Sequence, residues 1–240
     1  MPTIHDAVVL VTGANGGLGE QFVHQALARG AQKVYAAARR PREWDDDRIV
    51  PLRLDVTDRR SRADAVAAAA DTTILINNAG IVSPTATLLD LDEDDLRATM
   101  ETNFVGPVLL ARAFAATLSA ADNAALVNVH SVMSWYAIGG AYSASKAALW
   151  SATTALRLEF APSGVHVVGV HMGYVDTPMA AGATGPKILP DDLVSAVYDA
   201  VSADEFEVIG DDITASVKSA LSGPVEALYP DLRTPSGARP

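Results

Sequence analysis

The chain contains no cysteine, which excludes disulfides and thiolate metal sites; no metal centre is expected, and a reducing cytoplasm is the expected location. Lysine is scarce, at four in 240 residues. Basic residues number 18 against 29 acidic ones, and the formal charge of −11 opposes binding to nucleic acid or an anionic membrane. No uninterrupted apolar run approaches the roughly 20 residues of a membrane span. The opening "MPTIHDAVVLVTG" reaches a strand-like run within a few residues, so no signal peptide is expected. There is no internal repeat, no low-complexity tract and no linker in the middle of the chain.

What the chain does have is an apolar share of 49%, enough for one large core. Strand-like runs fall at residues 7–11, 33–37, 49–54, 73–77, 124–130, 165–171 and 207–209. Helical patterns separate most of them, at about 17–29, 58–70, 92–118, 142–160 and 191–201, with a short helix near 214–221. Only residues 39–48 are too few for a crossover helix. Strand–helix alternation with continuously apolar strands predicts an α/β fold of the Rossmann-like, doubly wound kind. Its seven-stranded parallel sheet is covered by helices on both faces, in one domain over residues 1–230. The last residues, 231–240, read as a frayed tail.

Directly after the first strand stands Thr12-Gly13-Ala14-Asn15-Gly16-Gly17-Leu18-Gly19, followed by a helical run. Glycines there allow a tight turn and close approach to a pyrophosphate, whose charge meets amide groups at the helix N-terminus. The spacing is Gly-x-x-x-Gly-x-Gly (Gly13, Gly17, Gly19). At the tip of the second strand, where an acidic residue would hold the ribose of NAD, the chain reads Ala38-Arg39-Arg40-Pro41-Arg42. A guanidinium suits a 2′-phosphate, so NADP(H) is favoured and NAD(H) remains possible. The same arginines could instead form a basic loop balanced by Asp45, Asp46 and Asp47.

A tyrosine and a lysine four places apart, in "AYSASKAAL" (141–149), share one helix face. With these residues in view, the chain resembles a short-chain dehydrogenase/reductase over nearly its whole length. The ordered signals are "TGANGGLG" (12–19), Asp55 in "LDV", "NNAG" (77–80), Asn103, and Ser131 ahead of Tyr142-x-x-x-Lys146. The resemblance implies that Thr12, Gly13, Asn15, Gly17, Leu18 and Gly19 hold the pyrophosphate side and that Arg39, with Arg40 beside it, takes the 2′-phosphate. Asp55 and Val56 would flank the adenine, while Asn77, Ala79 and Gly80 would line the ribose. Gly173, Val175 and Thr177 would embrace the nicotinamide carboxamide.

It further implies that Asn103, Ser131, Tyr142 and Lys146 are catalytic, with Tyr142 as general acid/base and Lys146 also on the nicotinamide ribose. Bringing a phenol from about 10 to about 7 takes roughly 4 kcal/mol. An ammonium at about 5 Å and an effective dielectric of 20 supplies on the order of 3 kcal/mol. Lys146 is therefore expected to account for most of the shift. Ser134 rivals Ser131, because the Ser131–Tyr142 segment is shorter than the family usually shows. His130 reads as a buried neutral side chain.

Asn103 either helps to hold a proton-relaying water, as the resemblance implies, or ties down a kink before Gly106-Pro107. Trp135, Tyr136 and Tyr174 fall on loops beside the site and would make an apolar pocket, or else pack in the core. The expected activity is hydride transfer between NADPH and a small uncharged ketone or secondary alcohol, as a carbonyl reductase or alcohol dehydrogenase. Rivals are the same enzyme with NAD and a cofactor-binding sensor or scaffold. A sugar epimerase is disfavoured by the short length left for a substrate domain. Family analogy implies a homodimer or homotetramer.

Overall fold

A computed structural model describes residues 2–233. Its sheet is parallel and seven-stranded, with β1 (Val8–Thr12), β2 (Lys33–Ala38), β3 (Ile49–Arg53), β4 (Ile74–Asn77), β5 (Ala125–Val129) and β6 (His166–His171). Two short strands, β7 (Tyr174–Val175) and β8 (Lys187–Ile188), pair apart from it, and β9 (Glu207–Ile209) completes it. The order is β3-β2-β1-β4-β5-β6-β9, so the chain reverses direction across the sheet between β1 and β4. Ligands in such sheets sit beyond the carboxyl ends of the strands at that crevice.

Apolar runs without alternation bury strands on both faces: β1, β4, β5 and β6 are buried at every position. β3, at the edge, alternates instead. Helices α1 (Leu18–Ala28) and α6 (Pro190–Ser202) cover one face, where Val9 and Val11 meet Phe22, Val23 and Tyr198. The Tyr198 hydroxyl, fully buried, donates to the Phe22 carbonyl at 2.7 Å. The other face carries α2 (Arg59–Ala68), α3 (Glu93–Met100), α4 (Gly106–Ala120) and α5 (Ala141–Phe160); there Leu10 and Leu126 meet Leu110, Phe114 and Phe160. Helices α7 (Asp212–Ala220) and α8 (Val225–Leu228) follow the last strand.

Aspartates start three of these helices. Asp58, Asp92 and Asp211 each accept a backbone N–H from the first turn, which stabilises a helix by about 1 kcal/mol. Residues 93–120 form one helical segment, expected from the sequence as a single helix, but a π turn at Glu101–Val105 interrupts it. Pro107 cannot donate to the Asn103 carbonyl four places back, and Gly106 N–H reaches Glu101 rather than Thr102. By length and composition this segment could cross a membrane; here its inner stripe of Leu110, Ala111, Phe114 and Leu118 packs on the sheet. Of the expected tail, Asp231–Arg233 belong to a short 3-10 turn, and 234–240 lie outside the described residues.

Candidate active site

The turn after β1 is built by close contact. A Cβ on Gly19 would lie 2.0 Å from the Gly13 carbonyl oxygen, so only glycine lets α1 start against the strand end. Gly17 caps α1 with a φ of 55°, which glycine adopts without strain, and it lines the crevice together with Gly13 and Gly16. Thr12 stands behind this surface rather than on it. Its buried hydroxyl donates to the Ile76 carbonyl and accepts from Asn78 and Ala79 N–H, tying β1 to β4. Asn77 is likewise buried and donates to Pro107 O and Asn128 Oδ1. The cavity wall belongs to its neighbours Asn78, Ala79 and Gly80. Asn78 was not singled out from the sequence, although it stands inside "NNAG".

At the other side of α1, Arg39 and Arg40 point their side chains to solvent and form no ion pair among the described residues. Arg42 is spent: it pairs with Glu20 and lies over the Trp44 ring at 4.0 Å. Asn15 fixes the loop by donating to the Arg40 carbonyl at 2.7 Å. Burial works to raise the Asp55 pKa, but hydrogen bonds from Thr57 and the charges of Arg39 and Arg62 outweigh it and hold the carboxyl below its ordinary value. Val56 is buried beside it, and its carbonyl accepts from Arg62.

From Gly13 the crevice opens into a cavity of about 1030 Å³. Gly17, Leu18, Gly80, Ser131, Tyr142, Lys146, Gly173, Val175 and Thr177 all line it. The local fold explains this convergence. Tyr142, Lys146, Leu149 and Thr153 repeat along one stripe of α5, and the stripe faces the end of β5, where Ser131 begins a single 3-10 turn. Ser134 lies within that turn, buried and outside the cavity, so the shortened loop still presents Ser131.

The electrostatics differ from the sequence expectation. Burial raises the Tyr142 pKa, and an interaction with the Ser131 hydroxyl offsets only part of the rise. The Lys146 Nζ lies 5.7 Å from the phenol ring centroid but donates to the Val129 carbonyl at 2.8 Å. Burial brings its own pKa down to about 8. Lysine and phenol share one desolvated wall, and the ammonium is turned to the strand end. In the protein alone, Lys146 therefore does not supply the expected downward shift of Tyr142.

Asn103 is buried within the π turn. Its Oδ1 accepts from Ile81 N–H at 2.8 Å, and its Nδ2 donates to Ile81 O at 2.9 Å and to Ser145 Oγ at 3.0 Å. Both donors are used, and the side chain pins the loop after β4 to α5. A polar clamp lies deeper. Thr153 Oγ1 donates to Leu149 O, so it accepts from Asn128 Nδ2 at 2.9 Å and from His130 Nε2 at 2.8 Å. His130 Nδ1 also meets His171 Nε2 at 2.9 Å, and His171 Nδ1 faces the Ser131 carbonyl at 3.4 Å, so the tautomers of the two rings are coupled. Burial pushes the His130 pKa well below its ordinary value and that of His171 to about 4, so both rings are neutral at pH 7. His130 matches its sequence reading.

Trp135 does not reach the cavity. It stacks on His171 with centroids 3.9 Å apart and meets Trp150 edge-on, because the 3-10 turn directs it under α7. Tyr136 and Tyr174 do line the cavity, together with Met133, Ile138, Met179 and Ile213, which the sequence reading did not single out.

This fold, with its crevice at the β1/β4 reversal and its aligned α5 stripe, is a doubly wound α/β architecture of the dinucleotide-binding kind. A sequence model of the short chain dehydrogenase family matches residues 7–186, and the chain belongs to that family. It is similar to the cis-4-hydroxycyclohexanecarboxylate dehydrogenase of Sinomonas cyclohexanicum, at 35% identity over 195 residues, 74% of this chain and 76% of the relative. An NADPH-dependent 1-acyldihydroxyacetone phosphate reductase of Schizosaccharomyces pombe is 36% identical over 188 residues, 74% of this chain and 62% of the relative. A short chain dehydrogenase from Burkholderia cenocepacia, solved in complex with NADP, superposes with a TM-score of 0.89 at 35% identity, covering 97% of this chain and 100% of that one.

Proposed function

We propose that this chain is an NADP(H)-dependent carbonyl reductase or alcohol dehydrogenase acting on an uncharged ketone or secondary alcohol. The observation that carries the reading is the convergence of Ser131, Tyr142 and Lys146 on one cavity that runs unbroken to the glycine turn. The cofactor fits the residues present: Gly13, Gly16 and Gly17 line the crevice with no side chain to fill it, and Arg39 and Arg40, exposed and in no ion pair among the described residues, would take the adenosine end. The similarity to an NADP-bound relative supports the same choice.

When bound, the nicotinamide supplies or accepts the hydride. The protein's part is to bind, orient and move a proton. Ser131 Oγ donates a hydrogen bond to the carbonyl oxygen, polarising it. Tyr142, kept protonated by burial at neutral pH, gives its phenolic proton to the oxygen as negative charge develops there. Running backwards, oxidation needs the phenolate, and a positively charged oxidised cofactor nearby would favour it. Lys146, protonated below about pH 8, would hold the nicotinamide ribose with the ammonium hydrogens not used on the Val129 carbonyl. Asn103 acts through its grip on Ile81 and Ser145, which fixes the loop after β4 against α5.

The test is spectrophotometric. Protein, NADPH and a panel of ketones are followed at about 340 nm, where a working reductase consumes NADPH only with ketone present. A sensor or scaffold would bind NADPH and leave its absorbance unchanged, and that outcome would overturn the reading.

A further inference from the structure

Beyond the reacting groups, the cavity is walled by Met133, Tyr136, Ile138, Tyr174, Met179 and Ile213. Several stay exposed at its rim, Ile138 at 48%, Met179 at 58% and Ile213 at 50%, as expected of a surface that waits for an apolar ligand. Two lysines reach the lining. Lys146 is bound to the Val129 carbonyl, and Lys187 pairs with Asp176 at 3.8 Å. Asp211, which accepts from Gly173 and Thr214 N–H, and Asp212 stand on the same wall, so among the described lining residues an anionic substrate finds no lysine or arginine without a protein partner and meets the Asp212 carboxylate.

The loop bearing Tyr136 and Ile138 is held at two points. On the inner side, Ser143 accepts from Gly139 N–H at 2.9 Å and donates to the Tyr136 carbonyl at 3.1 Å, next to Tyr142 on α5. On the outer side, Tyr229, just past α8, accepts from Ala137 N–H through its hydroxyl at 2.7 Å. Its ring also stacks on Tyr136, with centroids 5.4 Å apart and planes 23° from parallel. Leu228 packs into the cluster of Val132, Trp135 and Val217 beneath, anchoring α8 to the main body. Tyr229 touches neither the catalytic groups nor the cofactor turn. It sets where an aromatic wall stands.

We propose that Tyr229 is a specificity-determining positioning residue, and that the wall it holds selects carbonyl compounds bearing a bulky apolar or aryl substituent over anionic ones. This inference rests on the oxidoreductase reading above. The physical reason is pre-organisation: a stacked and hydrogen-bonded Tyr136 presents a fixed flat surface, so ring-bearing substrates need not order the loop themselves. A short alkyl ketone does not extend to that wall and gains little from it.

The experiment compares the full-length protein with Tyr229→Ala and Tyr229→Phe, using NADPH with acetophenone, butanone and a keto-carboxylate. The wild type should favour acetophenone over the keto-carboxylate. Tyr229→Ala should cut kcat/KM for acetophenone at least about tenfold, mainly through KM, and that for butanone by less than about threefold. Tyr229→Phe keeps the stacking, loses the hydroxyl acceptor and should fall between. NADPH affinity, read by fluorescence quenching, should be unchanged in both variants, which also shows that they fold.

If Tyr229→Ala leaves the ratio of acetophenone to butanone activity within about twofold of wild type, the proposal is overturned while the oxidoreductase reading stands. Equal loss with both ketones, or a wild type that prefers the keto-carboxylate, would also overturn it. A wild type that binds NADPH but reduces none of the three ketones would sink both.

Discussion

Replacing Lys146 by Met should make the protein inactive and more stable, with the stability gain confined to one side of a pH window. Lys146 is 4% exposed, and burial lowers its pKa from 10.5 to about 8. That difference corresponds to about 3 kcal/mol spent on keeping an ammonium in the fold at neutral pH. A methionine of similar length removes the charge. It leaves the Val129 carbonyl without the lysine's hydrogen bond, which costs about 1–2 kcal/mol. The net gain below pH 8 is then about 1–2 kcal/mol, or several degrees in Tm for a chain of this size.

The sign follows from linkage. Between the folded pKa near 8 and the unfolded value of 10.5, the unfolded chain binds more protons, so wild-type stability from this residue rises with pH across that window. The advantage of the variant must therefore shrink from pH 8 upwards by about 1.4 kcal/mol per pH unit, vanish near pH 9–9.5 and reverse by 10.5. Urea melts of both proteins at pH 7 and pH 10, followed by circular dichroism, measure the difference directly. A gap that does not change with pH, or a variant less stable at pH 7, would refute the claim that Lys146 carries an uncompensated burial cost.

The remaining tests address separate residues. Tyr142→Phe should abolish turnover while NADPH affinity stays within about twofold in a fluorescence titration; substantial residual activity would remove the phenol from its role. Arg39→Asp should weaken NADPH at least about tenfold more than NADH, and equal losses would discredit the 2′-phosphate assignment. Thr153→Val strands buried donors on Asn128 and His130 and should cost about 2–4 kcal/mol, whereas Thr153→Ser keeps the acceptor and should recover most of that stability. A valine variant as stable as wild type would show that the clamp between α5 and β5 contributes nothing measurable.

The fold was legible because its signals are local and repeated. Each of the seven main strands sits within about a residue or two of a continuous apolar run, and residues 39–48 hold no helix, as their number implied. Aspartates at 58 and 92 mark helix starts by chemistry that can be read without coordinates. The π turn was only half legible. Gly106-Pro107 announces a weakened ladder, but which carbonyls lose their donors depends on how the extra residue is accommodated, and that is settled by packing of Asn103 against Ile81 and Ser145.

The site divides along the same line between pattern and packing. Residues bound to a helical stripe or a strand end, such as Tyr142, Lys146 and Ser131, could be located from spacing, because regular structure converts spacing into direction. Direction on a loop has no such rule. Trp135 and Tyr136 are adjacent in sequence, yet one fills the core against His171 and the other lines the cavity and meets a residue 93 positions later. The pKa of Tyr142 failed for a related reason. A phenol and an ammonium four residues apart are certain to be neighbours, but what each sees is decided by desolvation and by the Val129 carbonyl, neither of which a spacing contains. In the protein alone the pair is held with phenol protonated and lysine directed away, which suits proton donation to a nascent alkoxide; the opposite direction requires a further positive charge beside the phenol.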